Sequence, residues 1–323
     1  MLPLRSLGQR LLVPAIGLGC IGMSHPLGSA VERKSVATID GAMELGCNFF
    51  DTAEAYGPFW SEELLGRCLK GKRNQAVIAT KFGYVFDGGQ RVGVSSRPEQ
   101  VRRSIEGSLR RLHTDRIDLV YQHRPDPNVP IEDVAGTISN LIHEGKVLHF
   151  GLKDVDELTV RRAHSVQRLT AVQANYSLWE RGAGTRLLPV LRELGIGLVP
   201  TSPFGRGDPN CHPGRSARGV KIRRDNRNEE SPLSSQGRYS QITATVQRIA
   251  DLKGVAPPKI ALAWLLASDP GIVPVPTTRG HRFLYRNVTA ASVALSAEEL
   301  SALNDPADRF ERRMIPATQE LRP

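Results

Sequence analysis

The feature that most constrains this chain is a unit that recurs eight times, a short apolar run followed by a longer amphipathic stretch. The runs are AIGLG (15–19), CNFF (47–50), AVIAT (76–80), IDLVY (117–121), VLHFG (147–151), TAVQA (170–174), IGLVP (196–200) and GIVPV (271–275). Runs that are apolar throughout, rather than alternating, suit strands buried on both faces of a parallel sheet. Between them, VERKSVATIDGAMELG, PEQVRRSIEGSLRRL, IEDVAGTISNLIHEG and DELTVRRAHSV carry helical spacing. Pro98 fits a first helical position, and Gly46, Gly145 and Gly195 fit left-handed helix ends. Eight strand–helix units predict an α/β fold, a (β/α)8 TIM barrel. At about 150 residues per domain the length alone would suggest two domains, but a barrel holds such a chain as one. The expected domain is therefore 1–323, with a long irregular loop at 203–237 and a polar tail at 305–323 folded over one end. A loop of that length is functional or lacks fixed structure.

Composition excludes several other classes. Hydrophobic residues make up 40% and charged residues 24%, a globular balance rather than that of a disordered chain. No stretch approaches the roughly 18 apolar residues of a membrane span. The apolar run at 11–21 follows two arginines and imitates a signal peptide, but Pro14, Gly17 and Gly19 interrupt it and it reads as a strand. Four cysteines (Cys20, Cys47, Cys68, Cys211) form no C-x-x-C pair, which suits reduced thiols and a cytoplasmic location. Eight histidines form no ligand cluster, so no metal is expected. The formal charge is +10, and 34 of the 43 cations are arginine. The densest run, RSARGVKIRRDNR at 215–227, lacks interleaved aromatics and reads as a solvated face rather than a nucleic-acid surface.

One motif misleads. Gly17, Gly19 and Gly22 match G-x-G-x-x-G, yet no helix pattern opens at Gly22; MSHPLGSA follows, with Pro26 and Gly28. A dinucleotide fingerprint needs that helix N-terminus on the pyrophosphate, so these glycines read instead as a close-packed strand end.

The informative residues follow the second, third and fourth runs. Asp51 and Tyr56 come after CNFF, Lys81 after AVIAT and His123 after IDLVY. In a barrel, positions just beyond strands share the C-terminal rim, where active sites are built. Together they suit proton transfer to a carbonyl oxygen. A tyrosine hydroxyl, with a usual pKa near 10, needs help at neutral pH. A buried ammonium beside it is expected to lower that pKa, and Asp51 to keep Lys81 charged and in place. His123 can donate to the substrate oxygen. With no activated nucleophile in the set, acyl and phosphoryl transfer are disfavoured, and the reductant must come from a nicotinamide cofactor.

GCNFFDTAEAYG, VIATKFG and DLVYQHRPDPNVPIEDVAGT resemble segments of the aldo-keto reductase superfamily. So do VPAIGLGCIGMS, TAVQANYSLW, GIGLVPTSPFGRG, PPKIALAWLLA and VPTTRGHRFLYRNV. The resemblance is closest to the bacterial and fungal branch with a GLGCMGMS-like first strand. It implies NADPH-dependent reduction of a small-molecule aldehyde or ketone on a barrel, with Tyr56 as general acid supported by Asp51, Lys81 and His123. By the same resemblance Gln173 contacts the nicotinamide carboxamide, and Ser202, Phe204 and Arg206 border the pyrophosphate. Thr278 and Asn287 belong to the adenosine segment, where Arg279 and Arg282 could meet a 2′-phosphate. The chain departs from the branch at GLKD, where Lys153 and Asp154 stand for GLSE or GLSN. It departs again at Thr201 (usually an aromatic), at Thr277 (usually glycine) and at Arg286 (usually glutamate), and it lacks the FLTG that often follows the pyrophosphate segment. An alternative reading keeps the barrel and the cofactor but makes the chain a sensing or regulatory subunit with little turnover.

Overall fold

The computed structural model describes residues 2–8, 10–24, 29–205 and 232–314. The chain opens with an antiparallel hairpin, β1 (Leu4–Leu7) and β2 (Leu11–Pro14). The main sheet then begins with β3 (Leu18–Gly19), β4 (Phe49–Asp51) and β5 (Val77–Phe82). A second hairpin follows, β6 (Tyr84–Asp87) and β7 (Gln90–Val94), and then β8 (Ile117–Gln122), β9 (Val147–Lys153), β10 (Leu169–Asn175) and β11 (Gly197–Thr201). Strands β3, β4, β5, β8, β9, β10 and β11 pair in that order, all in parallel, as a seven-stranded sheet. Parallel neighbours need crossovers, and helices supply them. These are α1 (Ser29–Glu44), α2 (Trp60–Cys68), α3 (Pro98–Arg111), α4 (Ile131–His143), α5 (Glu157–Val166) and α6 (Gly182–Leu194). After the sheet come α7 (Pro232–Lys253), α8 (Pro257–Ser268), α9 (His281–Val288) and α10 (Ala297–Met314). Among the described residues, no helix is long and apolar enough to cross a membrane.

The local signals act where expected. Pro98 is the first residue of α3, and Gly46, Gly145 and Gly195 have φ of 73°, 73° and 65°. Two expectations about boundaries differ. The apolar run at 11–21 is divided into β2, β3 and a 3-10 turn at Ile21–Met23, because β2 folds back on β1 instead of joining the sheet. Helix α10 continues past 305 to Met314, so the first part of the expected tail is helical, and α7 begins at Pro232, inside the stretch expected to be irregular.

The eighth apolar run is the main correction. GIVPV was expected to be a regular strand, yet 271–277 contributes only isolated bridges, Ile272 to Leu198 and Thr277 to Gly19. Pro274 and Pro276 have no N–H to donate, so a full ladder cannot form. Their carbonyls still accept from Gly17 at 3.0 Å and Gly19 at 3.2 Å, while Leu198 and Val273 bond on the other side. The segment thus touches both edge strands, β3 and β11.

Two apolar layers hold this together. A large cluster lies between the sheet and its helices. A smaller inner one joins Phe49, Ala79, Leu119, Tyr121, Ala171, Val199 and Val273 with Leu7, Leu11 and Val13 of the first hairpin. The glycines of the misleading motif are packing residues. A Cβ on Gly17 would stand 2.8 Å from the Phe49 carbonyl oxygen, and one on Gly19 would stand 2.7 Å from that of Val275.

Candidate active site

Strand register sets the site. Asp51 ends β4, Lys81 lies one residue before the end of β5, and His123 follows β8 directly. Parallel pairing of these strands brings their C-terminal ends, and so these side chains, to one rim. The Lys81 ammonium is wholly buried and donates to Asp51 Oδ1 at 2.6 Å and to the Thr52 carbonyl at 2.7 Å. It also reaches the Tyr56 hydroxyl at 3.4 Å. Asp51 Oδ2 accepts from Gln173 Nε2 at 2.9 Å, so β10 is tied into the same group. The Tyr56 and His123 rings meet edge-on with centroids 6.2 Å apart. All four residues expected at the rim are therefore together.

Electrostatics corrects one expectation. Burial pushes the Tyr56 hydroxyl well above its ordinary pKa, and the charge of Asp51 adds to the rise. The lowering expected from Lys81 does not prevail, because burial of the hydroxyl outweighs it and Asp51 neutralises the ammonium at 2.6 Å. Tyr56 is thus held protonated. Burial also drives His123 down to about 2, with the cations Lys81, Lys153, Arg124 and Arg91 adding to the fall. His123 is held as a neutral imidazole, and among the described residues its buried Nδ1 has no hydrogen-bond partner.

The residues implied as cofactor contacts fall into two groups. Gln173 is wholly buried, and among the described residues its Oε1 has no partner, so a buried acceptor sits beside Asp51. A carboxamide N–H₂ would satisfy it, and in this respect the site fits a nicotinamide. Thr278 and Asn287 are buried, and Phe204 is buried with the Arg286 guanidinium 6.0 Å from its ring. Sequence-distant parts of the implied pocket therefore meet. Ser202 follows β11 in the left-handed region (φ 50°) and its carbonyl accepts from Gly205. Arg279 and Arg282 are exposed. Arg206 and the arginine run at 215–227 lie outside the described residues, as does Cys211. At the departures the side chains bond among themselves. Lys153 pairs with Asp154, Thr201 donates to Asn175 Oδ1 at 2.9 Å, and Arg286 donates to Asn287 Oδ1 at 3.2 Å. Among the described residues, no three His, Cys, Asp or Glu side chains are grouped to hold a metal.

Sequence reasoning missed the second hairpin and Glu54. Asp87-Gly88-Gly89-Gln90 is a two-residue turn with φ of 53° and 78° at the glycines, and that tetrapeptide between apolar runs is a hairpin signal. The hairpin places Tyr84 against His123, with centroids 5.0 Å apart. Glu54 is buried behind Tyr56 and accepts from the backbone N–H of Gly83 at 3.1 Å. Burial, then the charge of Glu62, raises its pKa to about 8. No spacing rule marks it, since only tertiary burial distinguishes it from Glu63 on the surface-bound helix.

Comparison with known proteins places the chain in a family. Residues 15–307 match the model of the Aldo/keto reductase family. A probable aldo-keto reductase 1 from Glycine max is 37% identical over 298 residues, covering 89% of this chain and 84% of that protein. Among solved structures, the glycerol dehydrogenase of Gluconobacter oxydans superposes with a TM-score of 0.83 at 26% identity, covering 95% of each chain. An aldo/keto reductase from Klebsiella pneumoniae in complex with NADP and acetate has the same fold, with a TM-score of 0.72 at 24% identity over 94% of this chain and 95% of that one. The chain belongs to the aldo/keto reductase family.

Proposed function

We propose that the chain is an NADPH-dependent carbonyl reductase, with the segment at 271–277 closing the sheet into a single-domain (β/α)8 barrel around the site. Family membership makes it an oxidoreductase, and the NADP bound by the Klebsiella pneumoniae relative supports the choice of cofactor. The observation that carries the reading is the chain of contacts from Asp51 to Lys81 to the Tyr56 hydroxyl, at 2.6 and 3.4 Å.

Gln173, Ser202, Phe204, Arg206, Thr278 and Asn287 would hold the cofactor, with Arg279 and Arg282 toward its 2′-phosphate. When bound, NADPH supplies the hydride that reduces the carbonyl carbon. Tyr56 gives its proton to the carbonyl oxygen as negative charge develops there. Lys81 lies 5.0 Å from the Tyr56 ring centroid, so its positive charge stabilises the phenolate left behind. Asp51 keeps that ammonium from the cost of standing alone in a buried site. Neutral His123 donates to the same oxygen and so orients it. Rate gains of 10² to 10⁴ are typical of such a positioned acid.

The test is oxidation of NADPH by the purified chain with 4-nitrobenzaldehyde, followed by loss of the reduced-nicotinamide absorbance. Sustained turnover with 4-nitrobenzyl alcohol as product is the expected result. Tight NADPH binding with no turnover on any aldehyde or ketone would favour the sensing subunit instead.

A further inference from the structure

We propose that the substrate is a carbonyl compound bearing a carboxylate or phosphate, its anionic end received by Arg91 and Arg124 on the His123 side of the rim. This inference rests on the reductase reading and names the substrate class of that site.

Three elements bring the cations together. Arg91, on β7, stacks over the Tyr84 ring with its Cζ 4.8 Å from the centroid. Arg124, two residues beyond β8, donates from Nε to the Tyr84 hydroxyl at 3.3 Å. Tyr84 in turn packs on His123, so both guanidinium groups lie one ring away from the residue that meets the carbonyl oxygen. Lys153 ends β9, and the protonation of the imidazole is opposed first by burial and then by the charges of Lys81, Lys153, Arg124 and Arg91. Lys81 is matched by Asp51. Asp154 meets two of the other three, pairing with Lys153 and lying 3.8 Å from Arg124 Nη1. Arg91 has no ion-pair partner among the described residues. The carbonyl end of a substrate is uncharged and does not call for this field. A carboxylate or phosphate a few bonds away does, and it would take bidentate bonds from guanidinium groups.

The position also separates the two arginines from the implied cofactor contacts. Gln173, Ser202, Thr278 and Asn287 lie on β10, after β11 and beyond 277, whereas Arg91 and Arg124 lie on the hairpin after β5 and at the end of β8.

The experiment compares 4-carboxybenzaldehyde with 4-nitrobenzaldehyde, which matches it in shape but is neutral. A second arm compares D-glyceraldehyde 3-phosphate with D-glyceraldehyde. In at least one arm, KM for the anionic member should fall about tenfold or more below its partner, since hydrogen bonds to charged groups are worth about 1.5–3 kcal/mol and 1.4 kcal/mol is tenfold. The arm that responds identifies the anion. Arg91→Gln with Arg124→Gln should remove that gap, while the NADPH dissociation constant, read by fluorescence titration, stays within about threefold. Equal KM values in both arms, or a gap that survives the double substitution, would overturn the inference. A parallel loss of NADPH affinity would also overturn it, by assigning the arginines to the cofactor. Calorimetric titration of 4-(hydroxymethyl)benzoate against 4-nitrobenzyl alcohol, with NADP⁺ present, reads the same preference without turnover. A chain that prefers the carboxylate there but reduces no aldehyde would contradict the reductase reading alone.

Discussion

The two sides of the rim are built differently. At the ends of β4, β5 and β8, Asp51, Lys81 and His123 are buried and aimed at one point beside Tyr56. Their geometry is complete before any ligand arrives, which is the condition for a group to stabilise developing charge at no cost in reorganisation. At the ends of β9 and β11 and in α9, the polar groups satisfy each other, Lys153 with Asp154, Thr201 with Asn175, and Arg286 with Asn287. A ligand entering there must exchange one hydrogen bond for another, and such exchanges yield little net free energy. On the proposed function, the proton-handling side is preorganised while the polar groups of the implied cofactor side are partly self-satisfied.

The most severe way to break the comparison is Tyr56→Phe, which keeps the ring against His123 and removes only the hydroxyl. It should lower kcat by about 10² to 10⁴ with little change in NADPH affinity. Turnover within about threefold of wild type would take Tyr56 out of the reaction. The opposite side is sharpened by Lys153→Ser with Thr201→Phe. Gaining one hydrogen bond and one stacking contact should tighten NADPH by about 5- to 150-fold, corresponding to roughly 1–3 kcal/mol. NADP⁺ should gain more than NADPH, because on the proposed cofactor placement Lys153 would repel the oxidised ring. A double variant that binds NADPH no tighter would make the self-satisfied arrangement a working pocket in its own right. A smaller effect is expected from Arg279→Ala with Arg282→Ala. Fluorescence titration should find NADPH weakened about tenfold and NADH unchanged, since only the former carries the 2′-phosphate. Equal losses would place these arginines elsewhere than on that phosphate.

The smallest effect is on stability against pH, and it has two signs on the preorganised side. His123 titrates at about 2 in the fold, against an ordinary value of 6.5. The unfolded chain therefore takes up a proton that the fold refuses, and stability falls as pH drops below 6.5, by about 1.4 kcal/mol per unit. Glu54, raised to about 8 from 4.5, keeps a proton that the unfolded chain releases, so its contribution is lost as pH rises from 4.5 toward 8. Urea unfolding from about pH 5 to about pH 8 should find the acid loss reduced in His123→Gln and the alkaline loss reduced in Glu54→Gln. Parallel profiles for both variants and wild type would contradict this account of the two buried groups.

Much of the Asp51–Lys81 side of the rim is legible in the sequence. Asp51, Tyr56, Lys81 and His123 stand just after strand-like runs, and a parallel sheet converts that position into a common rim. The hairpin after β5 was not recognised, although its Asp-Gly-Gly-Gln turn carries a short-range signal. Without it, Tyr84 and Arg91 had no place near His123. Glu54 had no signal at all, because a carboxyl in a Thr-Ala-Glu-Ala-Tyr segment is ordinary until burial removes its water. The direction of the Tyr56 shift was misjudged for the same reason. Residue types indicate which charges are near, but the balance between Lys81, Asp51 and desolvation depends on distances and depth.

By itself the sequence determined the repeated strand–helix unit, the helix ends at Pro98 and Gly195, and the set of residues that reach the rim. These follow from side-chain period, from the fixed φ of proline and from the left-handed tolerance of glycine, all local properties. The tertiary structure alone shows that 271–277 bridges β3 and β11 without a full ladder, that His123 is held neutral, and that Arg91 and Arg124 both meet the Tyr84 ring packed on it. Those are long-range facts, since a charge or an unpaired N–H acquires its energy from what the rest of the chain packs against it.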